Sequence, residues 1–138
     1  LLKYAHQWFS TLGSLGICAR GQINRFYNAQ LCAELYESVT GIPMNLDQLR
    51  RRADRVWTLY RLLNVREGID RSHEPIPEQW VKTPGFKEYV SEAPIARDQI
   101  AQMIGDYYAE QGWDAETGRP RSETIARMGL DGLTSDLT

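Results

Sequence analysis

Apolar residues recur every three and four positions through most of this chain, the period of an α-helix with one buried face. Leu2, Ala5, Trp8, Phe9 and Leu12 mark such a face over residues 1–12. A second helix follows Asn28, a good N-cap, with Leu31, Cys32, Leu35, Tyr36 and Val39 in register until Thr40-Gly41 ends it. The third is the most regular. Asn45 caps it, Asp47 stands in its first turn, and Leu46, Leu49, Ala53, Val56, Trp57, Tyr60 and Leu63 form a stripe that Gly68 closes. A fourth spans about Ala96 to Gln111, with Ile100, Met103, Ile104 and Tyr107 facing inward and Gly112 as terminator. A short fifth is capped by Ser122 and stops at Gly129, after which Asp131–Thr138 reads as a frayed polar tail.

Between the third and fourth helices, Pro75, Pro77, Pro84 and Pro94 interrupt a segment with little periodicity beyond one helical turn near Glu78 to Val81. A connection of that length is usually functional or wraps a neighbour. Trp113-Asp114, after Tyr107-Tyr108, predicts aromatic packing at a helix end with Asp114 in a turn that continues through Glu116-Thr117-Gly118. Nothing alternates with the period of a strand, and no internal repeat appears. The expected fold is therefore all-α: a compact irregular bundle of about five helices, one domain over residues 1–138.

Composition narrows the partners. Of the 138 residues, 42% are hydrophobic and 25% charged, ordinary for a globular domain, and a net charge of -2 leaves no basic footprint for nucleic acid or an acidic membrane. No apolar run is long enough for a membrane span. The start Leu1-Leu2-Lys3-Tyr4 has neither an initiator methionine nor a signal-peptide pattern, so a piece excised from a longer polypeptide is expected. Two cysteines make no disulfide framework, and a reducing cytoplasm is the expected compartment.

The chemistry falls on Gly13-Ser14-Leu15-Gly16-Ile17-Cys18. Two glycines three apart predict a loop in which the backbone approaches a ligand closely. Cysteine ligates soft metals as the thiolate, a form that nearby positive charge such as Arg20 and Arg25 favours. From the pattern alone, Cys18 is either a metal ligand or a plain loop thiol, and the two arginines are either its electrostatic partners or solvated loop residues. Cys32, on an apolar face, reads as a small buried hydrophobe. His6 reads as a surface or hydrogen-bonded helix histidine. His6, Cys18, Cys32 and His73 lack the close spacing of a zinc motif. Arg50-Arg51-Arg52 suggests a phosphate site, but consecutive helical residues point in different directions, so a solvated face is expected.

These residues carry a resemblance that extends along almost the whole chain. Leu15-Gly16-Ile17-Cys18, Leu35-Tyr36 with Val39-Thr40-Gly41, Arg55-Val56-Trp57-Thr58-Leu59 with Arg61, Asn64, Arg66, Glu67 and Gly68, and Ile76-Pro77 occur in order. Tyr107-Tyr108, Gly112-Trp113-Asp114, Gly118, Pro120 and Gly129-Leu130 complete the set. In this order the chain resembles the C-terminal helical domain of the tungsten-containing aldehyde:ferredoxin oxidoreductases. That resemblance implies a tungsten bis-pterin and a four-iron four-sulfur cluster in the full-length protein, oxidation of aldehydes to carboxylic acids, and ferredoxin as electron acceptor. It implies contacts with N-terminal and middle domains of the same polypeptide. The family's fourth cluster cysteine closes a motif Asp-x-x-Gly-Leu-Cys, which Gly16, Ile17 and Cys18 match. Cys18 is thereby implied as a cluster ligand, with Ser14, Gly16 and Ile17 beside the cofactors. Gly13 replaces the aspartate that contacts a pterin, a role Ser14 or a backbone amide would take over. His73 and Glu74 fall where the family has acidic residues before its Leu-Pro; a proton relay or a plain surface loop both suit them. Three of four cluster thiolates are absent from this piece, so alone it is expected to fold, to hold no stable cluster and to be inactive. Two alternatives follow from the same residues: a divergent member with another substrate, such as an aromatic-CoA reductase subunit, or a helical docking domain that has lost its cofactors.

Overall fold

The computed structural model describes residues 1–20, 26–82, 87 and 95–134. Its described residues form the helices α1 (Leu2–Ser14), α2 (Ala29–Thr40), α3 (Leu46–Arg66), α4 (Glu78–Lys82), α5 (Arg97–Gln111), α6 (Ser122–Arg127) and α7 (Asp131–Thr134), with a 3₁₀ turn at Arg71–His73. Among the described residues there is no strand; Trp113 and Pro120 form an isolated antiparallel bridge. The fold is all-α, as the apolar periodicity predicts.

The helix starts follow from side-chain chemistry. Asn28 accepts a hydrogen bond from the Leu31 N–H at 2.8 Å. Asn45 accepts from the Gln48 N–H at 2.9 Å while Gln48 returns a bond to the Asn45 N–H, so two amides that the helix leaves unpaired are satisfied reciprocally. Ser122 differs from expectation. It is the first residue of α6 rather than its cap, and Arg121 takes the cap position without a side-chain bond. The tail also differs, since Asp131–Thr134 forms a further helical turn; residues 135–138, like Arg25 and much of the proline-rich segment, lie outside the described residues.

Helix α1 runs antiparallel to α3, with Gln7 Nε2 donating to Asp54 Oδ1 at 2.9 Å and Leu12 sharing a core with Leu49. It is antiparallel to α5 as well, since Lys3 reaches the Glu110 carbonyl and His6 meets Tyr107. Two apolar clusters result. One gathers Trp8, Leu12, Cys32, Ala33, Met44 and Leu49 from α1, α2, the α2–α3 connection and the start of α3. The other joins Leu62 near the end of α3 to Leu130 behind α6. Leu12 and Leu130, at 1% and 0% exposure, each stabilise the fold by roughly 2 kcal/mol through burial.

Serving two clusters changes which face of α3 is buried. Leu49 and Ala53 are buried near its start, but Thr58, Arg61 and Leu62 are buried further along, on nearly the opposite side. Tyr60, on the predicted stripe, is exposed instead. The same correction applies to Met103 on α5, which is exposed while Tyr108 and Gln111 are buried, and to Leu35 and Val39 on α2, which face outward.

Candidate functional site

Gly13 and Ser14, expected in a loop, are the last residues of α1. The turn comes one residue later. Gly16 adopts φ 69°, the left-handed region where a side chain is strained, and its N–H bonds back to the Gly13 carbonyl at 3.2 Å. The Ile17 N–H then reaches the Leu12 carbonyl at 2.9 Å. This pair of bonds is the Schellman arrangement, in which the residue after the glycine packs on the last helical turn. Ile17 does so, lying against the cluster that holds Leu12. Cys18 follows immediately and is exposed, as are Ser14, Gly16 and Arg20. Glycine is required at position 16 by the backbone, since a Cβ there would meet nothing within 4 Å.

The second cysteine behaves oppositely. Cys32 is 0% exposed and burial pushes its thiol up, the environment of an inert core residue, as its apolar position predicts. The chain therefore presents one accessible thiol, at the end of a glycine turn whose backbone leaves room around it. Among the described residues no three His, Cys, Asp or Glu side chains come together to hold a metal ion.

A separate aromatic site forms where α1, α3 and α5 meet. His6 stacks on Trp57 with ring centroids 4.0 Å apart, and its Nδ1 lies 2.6 Å from the Tyr107 hydroxyl. The Trp57 indole donates to that hydroxyl at 2.7 Å. With the Tyr107 hydroxyl donating to His6 Nδ1, the imidazole proton sits on Nε2 and the hydroxyl both donates to His6 and accepts from Trp57. Burial pushes the Tyr107 hydroxyl up to about 12 and holds His6 below its ordinary value, so both groups are neutral at neutral pH. They line a cavity of about 320 Å³ together with Tyr60, Asn64 and Trp113.

Beside this cavity Arg61, only 4% exposed, is fixed on every side. Its Nε donates to the Gly118 carbonyl at 2.6 Å, its Nη1 pairs with Glu74, and its guanidinium lies 5.5 and 5.2 Å from the ring centres of Tyr108 and Trp113. The second Glu74 oxygen accepts from the Tyr108 hydroxyl. Glu74 is thus committed to a structural network, and His73 turns elsewhere, its Nδ1 3.1 Å from Asp70 Oδ1. Hydrogen bonds from Ser72, and then from His73, hold the Asp70 carboxyl down to about 2. Asp114 sits in the expected turn, accepting from the Thr117 N–H and hydroxyl at 2.8 Å each.

The structure thus defines an all-α domain that offers a lone exposed thiol on a Schellman turn and gathers His6, Trp57, Tyr107, Arg61 and Glu74 into a hydrogen-bonded aromatic center. A model of the family described as aldehyde ferredoxin oxidoreductase, domains 2 & 3, matches residues 1–130. The chain belongs to that family. A tungsten-containing aldehyde ferredoxin oxidoreductase of Pyrococcus horikoshii is 25% identical over 99 residues, covering 71% of this chain and 16% of that protein. The protein of the same description from Pyrococcus abyssi is 24% identical over 99 residues, with the same coverage. The matched region is therefore a small part of these relatives, and the family's description places it among the domains of a larger oxidoreductase. Among the described residues no helix is long and apolar enough to cross a membrane.

Proposed function

We propose that this chain is the C-terminal part of a cytoplasmic tungstopterin and iron–sulfur oxidoreductase that converts aldehydes to carboxylic acids and passes electrons to ferredoxin. The observation that carries this reading is Cys18, an exposed thiol directly after a left-handed glycine in a chain that matches the family over residues 1–130. Cys18 would supply one thiolate to a four-iron four-sulfur cluster, with the other three from the rest of the polypeptide. The bound cluster supplies one-electron transfer between the pterin site and the acceptor. Gly16 keeps side-chain bulk away from that corner, and Ile17 anchors the turn on the core, so the thiol is held in place without being buried. Ser14 and Gly16, both exposed on the same turn, would form part of the cofactor cavity wall.

Gly13 favours a second reading within the same family. It is exposed at the end of α1 and carries no side chain where the family places an acid, so the pterin contact would differ and with it the substrate class, an aromatic-CoA thioester being the alternative. The deciding experiment is metal, sulfide and pterin analysis of the full-length protein made anaerobically with tungstate. Tungsten, about two pterins and about four irons per chain support the proposal. Turnover of aldehydes against that of aromatic thioesters then separates the two readings. Full-length protein free of metal and pterin overturns both and leaves a helical docking domain.

A further inference from the structure

A basic groove away from both sites carries a further inference. It opens where α1, α3, α5 and α6 meet, encloses about 510 Å³, and sets Lys3, Arg51, Arg52, Arg55 and Arg127 against only Asp54 and Glu110. Arg51, Arg52 and Arg55 share one side of α3 because positions three and four apart on a helix are neighbours. Arg50 turns away and pairs with Asp47 at 3.6 Å. The arginine run is solvated, as its sequence suggests, yet two of its members join Arg55 in a single concave surface.

The positive charge of this groove is poorly neutralised from within. Arg55 donates to the Met128 carbonyl at 2.9 Å and Lys3 to the Glu110 carbonyl at 3.0 Å, bonds that fix the side chains without cancelling their charge. Arg51 and Arg52 are exposed and make no ion pair among the described residues. Gln111 adds an independent signal. It borders the same groove, is 5% exposed, and its buried amide nitrogen, which lies toward the Tyr107 hydroxyl, has no hydrogen bond of good geometry. A buried donor left unpaired costs about 1–3 kcal/mol, and turning the amide toward a seated oxyanion recovers it.

We propose that this groove binds a small phosphate-type oxyanion, such as a phosphate ester or a diphosphate. Guanidinium forks match the paired oxygens of phosphate, five cations against two acids exclude a cationic ligand, and the concave volume suits a small molecule rather than a flat protein face. This site is independent of the cluster reading, and Cys18→Ser is expected to leave it unchanged.

The test is calorimetric titration of the full-length protein with inorganic pyrophosphate at two ionic strengths. Saturable binding that weakens as salt rises is expected, with the Arg51→Ala/Arg52→Ala double variant weaker by about tenfold or more and Arg50→Ala within about twofold. Gln111→Leu should weaken binding by about tenfold while keeping the salt dependence. Arg51 and Arg52 are exposed, so that double variant folds, and circular dichroism verifies it. No saturable binding by the wild type, or equal affinity in the double variant, overturns the proposal. So does retention of poly-glutamate without pyrophosphate binding, which would make the groove a docking surface for an acidic protein.

Discussion

The Arg61 network and the Cys18 turn are built on opposite plans. Arg61 reaches Gly118, Glu74, Tyr108 and Trp113, so its buried charge finds partners inside the chain. Cys18 is exposed and forms no disulfide, and the Gly16 turn carries it out of the core. A buried charge must be satisfied by its own fold, whereas an exposed thiol makes no such demand. The contrast separates what holds this domain together from what it offers to the rest of an enzyme.

The sharpest way to break the first half of the contrast is to remove the cation. Arg61→Ala leaves a void between two aromatic rings, an unpaired Gly118 carbonyl and a half-exposed Glu74 carboxylate. A loss of about 3 kcal/mol is expected, discounted from a fully buried pair because Glu74 keeps access to water. Urea denaturation followed by circular dichroism checks it; an unchanged midpoint would show that the network is incidental. Gly118→Ala should come next, at about 2 kcal/mol, because φ at this position is 71° and an added Cβ would collide with the Arg61 guanidinium.

This network was barely legible beforehand. Periodicity treats an arginine as a surface residue, and Arg61 is buried only because partners 13, 47 and 57 positions away converge on it. A faint signal existed, since Arg61 stands four residues after Trp57 and continues the apolar stripe with a charge. Helix ends were far more legible. Asn28, Asn45, Gly41, Gly68, Gly112 and Gly129 all act where local backbone chemistry predicts, because caps depend on near neighbours alone. The faces of α2 and α5 were misjudged at Leu35, Val39 and Met103 because hydrophobicity states that a residue would bury, not which neighbour is there to bury it. At the thiol, Gly16 served as the punctuation expected of a glycine loop, while Gly13 stayed helical: its right-handed conformation suits any residue, so its identity is not set by the backbone.

The two cysteines sharpen the contrast at intermediate magnitude. Cys32→Ser places a hydroxyl in a site with 0% exposure and should lower stability by about 1–2 kcal/mol. Cys18→Ser should change it by less than about 0.5 kcal/mol, as exposed substitutions do. In the full-length protein the order reverses for cluster content. Iron and sulfide should fall steeply in Cys18→Ser and stay near the wild-type value in Cys32→Ser. Equal cluster content in the two variants would remove Cys18 from the ligand set.

The smallest effect tests whether the aromatic center is as self-contained as Arg61. Burial holds His6 below its ordinary value of 6.5, so the folded chain resists a proton that the unfolded chain accepts. As pH falls through 6.5 the unfolded state takes up more protons, and stability must decline from there down to the folded-state value; above 6.5 His6 contributes no slope. The carboxylates of Asp70, Glu78 and Asp114 are all held below their ordinary values of 3.8 to 4.5, so their losses begin at lower pH and leave this window to the histidine. His6→Phe preserves a ring to stack on Trp57 and removes the titrating group. Its denaturation midpoint should stay level between pH 7 and the onset of carboxylate protonation while the wild type drifts down. Parallel curves for the two proteins would mean that His6 takes its proton as readily in the fold as in water, and that the pairing with Tyr107 opens to solvent.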